Sequence, residues 1–217
     1  MWHRFPIWDK WKSWTKFMAL TEYSLELATN HWESLPVEEL AGAIIERPNG
    51  SGIFRCQGNH IIPVLKDRHV LSSMLLLASY ALIEAHVENV LEYSVAKPAT
   101  SSKLVNDFRA QTTTFDDFLK GGIEAWGTKI LTELQRTWTD VAKGKAGLVE
   151  VSTVRNALAH GENLVTINMV NRVTAAGGIL PWSCGGEIKL TPDLLNEYRA
   201  RLRSFARVIS TAAVTLT

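Results

Sequence analysis

The chain has little net charge: 23 Lys and Arg stand against 22 Asp and Glu, a formal +1 over 217 residues. A balance of this kind argues against nucleic-acid binding through a generally basic surface, so any contact with phosphate has to come from a local patch. Cysteine is equally scarce. Cys56 and Cys184 are the only two, far apart and without a CxxC partner, which favours two reduced thiols over a disulfide or a metal site. Long apolar runs are missing. The most apolar stretch, Met74 to Ala85, is too short to span a bilayer and is interrupted by Ser79, Tyr80 and Glu84. The first residues, MWHRFPIWDKWKSW, lack the apolar core and cleavage site of a secretory signal. His31, His60, His69 and His86 show no ligand spacing, so no metal or other cofactor is expected. These absences lead to the expectation of a soluble, cytoplasmic protein with no membrane partner.

What is present is helical periodicity, on a composition of 46% hydrophobic and 21% charged residues that suits one good-sized core. Trp8 to Glu33 reads as a helix, and a second begins near Pro36, where proline suits the first turn. Arg47 to Pro63 holds prolines, glycines and one short strand candidate, Ile53-Phe54-Arg55, and reads as a linker. From Lys66 to Val95 two apolar stripes run along one helix, Leu71/Leu75/Ala78/Leu82/Ala85 and Leu76/Ile83/Val87/Val90, which places it in the middle of a bundle. Leu104 to Leu119, Ile123 to Ala142 and, after a KGKAG turn, Leu148 to His160 continue the helical pattern. Between Asn163 and Thr174 the period changes to alternation, Val165, Ile167 and Met169, which predicts a strand of a hairpin completed near Glu187 to Leu190. Thr191-Pro192-Asp193 then starts a final helix to about Ala213. The expected architecture is all-α, a helical bundle over residues 63–217 with a small β-hairpin insertion before the last helix, preceded by a helical extension and linker over 1–62.

The segment that carries chemistry is Arg155-Asn156-Ala157-Leu158-Ala159-His160-Gly161. At about 100° per residue, Asn156 and His160 share a helix face, while Arg155 lies about 140° from His160, beside the apolar stripe of Leu148, Val151, Val154 and Leu158. A guanidinium in that position needs a carboxylate or other hydrogen-bond acceptors, because an unpaired buried charge is costly. Tyr80, Glu84 and Glu88 form an i, i+4, i+8 row on the central helix, and Glu84 is the expected partner of Arg155. Gly161 is a left-handed cap candidate that leaves His160 at the negative helix end, which favours the protonated imidazole. A cation, an amide and a titratable imidazole in one and a half turns suit acid–base chemistry at a phosphate.

This segment resembles the Arg-x4-6-His motif of the HEPN superfamily, including its frequent Asn after the Arg. SYALIEAHVENVL (79–91) is similar to the family's central helix with an acidic residue facing the motif, and LTPDLLNEYRARLRSF (190–205) to its closing helix. The likeness covers roughly residues 64–215. It implies a four-helix core that dimerises, and a metal-independent endoribonuclease in which the ribose 2′-OH attacks phosphorus to leave a 2′,3′-cyclic phosphate. Carried over, His160 is the general acid or base, Arg155 stabilises the phosphorane and Asn156 positions the phosphate or the pair, with Glu84 and Tyr80 in support. It also implies a bacterial toxin or antiphage defence effector acting on RNA and restrained by a cognate antitoxin or regulatory protein. Some family toxins carry Tyr two residues after the His; Glu162 stands there instead, which argues against neutralisation by modification at that position. The same motif on a noncatalytic dimer would serve as an RNA- or protein-binding module or a nucleotide sensor. Arg199, Arg203 and Arg207, with Arg201 nearby, form either a phosphate-tracking stripe or, the favoured reading, a solvated helix face. Trp182 either stacks on an unpaired base or, again favoured, packs a turn. The Trp-rich start (Trp2, Trp8, Trp11, Trp14) fits partner binding and core or dimer packing equally.

Overall fold

Helices carry nearly all the regular structure of the computed structural model, which describes residues 5–46, 55–97 and 102–215. In chain order they are α1 (Ile7–Glu33), α2 (Val37–Gly42), a strand pair β1 (Ile44–Glu46) and β2 (Arg55–Gln57), then α3 (Gly58–Lys66), α4 (His69–Val95), α5 (Lys103–Arg109), α6 (Phe115–Leu119) and α7 (Ile123–Glu133). A 3₁₀ turn at Trp138–Asp140 leads to α8 (Gly144–Ala159), α9 (Ile167–Ala175) and α10 (Pro192–Thr215). The class is all-α, as the periodicity indicates. The chain divides into two units, Asp9–Val70 and Leu71–Thr217 with Met1–Trp8. The 62/63 boundary read from the sequence lies inside α3, Gly58–Lys66.

Of the expected linker, the described part, residues 55–63, forms β2 and the start of α3. β1 and β2 pair antiparallel, Ile45 opposite Cys56; of the strand candidate, Arg55 lies in β2, while Ile53 and Phe54 lie outside the described residues. Gly58 is no breaker. Its N–H donates to the Ala43 carbonyl at 2.9 Å, and a Cβ there would sit 2.4 Å from the Leu40 carbonyl oxygen, so glycine permits a close backbone approach. Pro63 is accommodated inside α3.

The unit of residues 71–217 is built round α4, whose 27 residues include neither glycine nor proline. By length and composition this helix is apolar enough to cross a bilayer; eleven of its residues are buried. Leu76, Ile83, Val87 and Val90 are fully enclosed, as are Leu148, Val151 and Val154 of α8 and Leu202, Phe205 and Ile209 of α10. Each such side chain contributes about 1.5–3 kcal/mol relative to exposure. Polar ties fix how the helices meet. His86 of α4 shares its Nε2 with Ser210 Oγ at 2.8 Å and the Ala206 carbonyl at 3.3 Å on α10, with the Phe5 and Trp8 rings edge-on to the imidazole. Glu150 of α8 accepts from Tyr198 Oη at 2.9 Å and Arg201 Nη1 at 2.7 Å, both on α10.

Four segments depart from the sequence reading: the helix expected over Ile123–Ala142 ends as α7 at Glu133, ahead of the 3₁₀ turn, and three others differ. Leu104 to Leu119 is two helices, α5 and α6, separated where Gln111 takes φ +56°. The KGKAG segment is the first turn of α8, entered through Lys143 and Gly144 at positive φ. The strand expected over Asn163–Thr174 is largely α9. Thr166 caps that helix by accepting from the Met169 N–H at 3.3 Å; Met169 and Val173, four apart, are buried, whereas Ile167 is 57% exposed, so the two-residue alternation is not the one that burial follows. What remains of the hairpin is one antiparallel bridge, Leu164 with Glu187.

Candidate active site

Eight consecutive residues of α8, Gly147 to Val154, are buried, and the helix meets solvent at its two ends. The C-terminal end stops through a Schellman arrangement: the Gly161 N–H donates to the Leu158 carbonyl at 3.2 Å and the Glu162 N–H to Ala157 at 2.9 Å. Gly161 takes φ +72°, the left-handed conformation expected of it. His160 is the cap residue and is exposed.

Arg155 points to the other side of the last turn and is held from three directions. Its Nη2 donates to Glu84 Oε2 at 3.0 Å and its Nη1 to Asn156 Oδ1 at 2.9 Å. Its guanidinium carbon lies 4.5 Å from the centre of the buried Tyr80 ring, within cation–π range. Glu84 is therefore the carboxylate that the sequence reading assigned to Arg155; Glu88, one turn on, is exposed. Burial pushes the Glu84 carboxyl above the usual carboxylate range, and Arg155 only partly opposes it. Burial likewise raises the Tyr80 phenol to about 12, against the pull of its hydrogen bond to Ser152.

Ser152 leads to a second arginine that the sequence reading did not find. Arg172 of α9 donates through Nε and Nη2 to the two carboxylate oxygens of Glu124 on α7, at 3.0 and 2.8 Å, and more weakly through Nη2 to Ser152 Oγ at 3.4 Å. Burial acts to raise Glu124, but the paired hydrogen bonds from Arg172 prevail and leave its carboxyl below the usual range. The two clamps thus form a continuous polar path, Glu84–Arg155–Tyr80–Ser152–Arg172–Glu124, spanning α4, α7, α8 and α9. The i, i+4 pair Asn168/Arg172 was the available signal, hidden by reading that segment as a strand.

A groove of about 280 Å³ lies between the end of α8 and α9, lined among others by His160, Asn156, Thr166, Asn168 and Arg172. Asn156 is common to both arrangements: it lines the groove beside His160 and accepts from Arg155, which itself does not line it. Two other sequence candidates fall elsewhere. Trp182 is half-buried in the loop before α10 and outside the groove. The arginine row of α10 is not one surface. Arg203 and Arg207 are exposed, but Arg199 is buried and donates to Ser79 Oγ at 2.6 Å, with burial and then the charge of Arg203 pulling it down to about 10. Arg201 is buried against Glu150 and Glu197. Neither a phosphate-tracking stripe nor a solvated face describes these two, because both are drawn into bundle contacts. Cys56 and Cys184 are free thiols, and among the described residues no group of three or more His, Cys, Asp and Glu side chains is placed to hold a metal ion. Comparison with family models, with curated proteins and with solved structures gives no match for this chain.

Proposed function

We propose that the protein is a metal-independent endoribonuclease of the HEPN kind, acting as a dimer. The observation that carries this reading is the place of Asn156, which joins the held guanidinium of Arg155 to the groove that exposes His160. Two of the five guanidinium N–H donors of Arg155 serve Glu84 and Asn156, and its side chain keeps 26% exposure, which leaves donors for a phosphoryl oxygen. In the proposed reaction the ribose 2′-OH loses its proton and bonds to the adjacent phosphorus, while the bond from phosphorus to the 5′-oxygen breaks and that oxygen takes a proton. His160 serves as general acid or base for one of these transfers. Arg155 stabilises the added charge on the phosphorane. Asn156 keeps both in register. The setting that goes with this reading is cytoplasmic: a toxin or defence effector held in check by a cognate protein.

The first test is incubation of the purified chain with end-labelled RNAs in EDTA, beside His160→Ala and Arg155→Ala. The expected outcome is cleavage that leaves 2′,3′-cyclic phosphate ends and falls at least a hundredfold in both variants. Cleavage that survives both substitutions overturns the assignment of the site.

One observation favours a second reading, a noncatalytic binding module at the same groove. Arg155 and Arg172 are each matched by a carboxylate, Glu84 and Glu124, and Glu162 also lines the groove, so fixed positive charge is not in excess there. Intact RNA with a folded protein that still binds at this groove would decide for the module.

A further inference from the structure

The N-terminal helix α1 is apolar on two sides, and only one of them is buried. Trp8, Trp11, Met18 and Thr29 fall on one face and are 5–7% exposed. On the opposite face Phe17, Leu20, Tyr23 and Leu27 are 55%, 66%, 61% and 52% exposed. Steps of three, three and four residues keep these four within about 120° of the helix surface. Isolated exposed apolar residues are ordinary, but four in a row make a patch on the order of a few hundred Å², the size that marks an interaction surface.

The charges beside this stripe indicate what covers it. Lys16 lies one turn before Leu20, between Tyr23 and Leu27 around the helix, and Glu26 lies about 60° outside Tyr23 on its flank; both are exposed. The basic residue thus stands at the start of the stripe and the acidic one at its end. We propose that the Phe17–Leu27 face of α1 is an antiparallel two-fold interface with a second copy of this chain. A two-fold axis level with residue 22 lays Phe17 against Leu27 of the second copy and brings Leu20 next to Ser24. The same operation sets Lys16 within two residues of the level of Glu26 from the other copy, twice, as an isologous contact requires. A parallel pairing would instead put Lys16 against Lys16 and Glu26 against Glu26. The stripe covers eleven residues, about 15 Å along the helix, which is short of a standard interface.

This interface is independent of the endoribonuclease reading, since it uses neither Arg155 nor His160. The experiment is sedimentation of the full chain from about 1 to 300 micromolar, beside Leu20→Lys and Tyr23→Glu, with helix content checked by circular dichroism. The wild type is expected to double in mass over this range, whether from a monomer or from a dimer formed elsewhere, and the two apolar-face variants are expected to lose that step. Lys16→Glu and Glu26→Lys are each expected to weaken it roughly tenfold, since each turns two attractions into two repulsions, and the double exchange to restore it. A wild type without the step, a step that survives both face variants, or a double exchange as weak as the singles overturns the proposal.

Discussion

At the residue scale, two buried polar side chains set the terms on which the bundle is stable. Glu150 is the carboxylate for Arg201 and the acceptor for Tyr198, and both side chains of the ion pair are about one-tenth exposed. Glu150→Ala would leave that guanidinium with Glu197 and the Gly147 carbonyl. The expected loss is about 3–5 kcal/mol, read from denaturant unfolding. His86 gives a pH signature. Burial holds its imidazole well down, to about 4, although the Ala206 carbonyl favours the proton. The unfolded chain takes up that proton as pH falls below its ordinary value near 6.5, whereas the folded chain does not until near 4. Stability from this group is therefore complete above about pH 6.5 and declines as pH falls towards 4, by on the order of 3 kcal/mol. The unfolding free energy measured between pH 7 and 4 should show that slope, and His86→Gln should flatten it. The pairing of Arg155 with Glu84 was legible in the sequence because an arginine beside an apolar stripe demands a carboxylate or other acceptors, and Glu84 stood among apolar neighbours. The pairing of Arg172 with Glu124 was not, since a residue read as part of a strand invites no search for an i, i+4 companion.

At the element scale, long helices declared themselves and short ones did not. The bounds of α1, α4 and α10 follow from many turns of consistent burial, from Pro192 in a first turn and from the absence of breakers in α4. α9 has only nine residues, and Val165, Ile167 and Met169 satisfy alternation as well as a helix end does. Its cap settles the choice: one hydroxyl, Thr166, meets an N–H that a strand would have directed elsewhere. Thr166→Ala should cost about 1 kcal/mol, read from thermal unfolding, and loosen the α9 side of the groove; under the proposed function, weaker RNA binding in a filter assay is expected to go with it. Gly161 makes the complementary case on α8. A Cβ there meets nothing within 4 Å, so the penalty for Gly161→Ala comes from the backbone alone, about 1–2 kcal/mol for a left-handed residue. The measurement is thermal unfolding together with cleavage rate, both expected to fall.

At the scale of the whole molecule, the sequence conveys the class and the central place of α4, but its glycine and proline overstate the breaks between 55 and 63. The reason lies in Gly58 and Pro63, which serve a close approach and a helix interior respectively. The contrast along α8 has a consequence for experiments that need no knowledge of the target. Backbone amides of Gly147 to Val154, buried throughout, are expected to exchange with deuterium only when the unit unfolds, whereas those from Leu158 to Glu162 exchange by fraying of the open end. An occupant of the groove should slow both sets, because any ligand of the folded state raises the unfolding free energy; a ligand bound elsewhere should slow the first and leave the second to fray. One helix thus holds a protected stretch and a reporting stretch side by side, and deuterium uptake over time can rank RNAs, nucleotides and proteins by where they act.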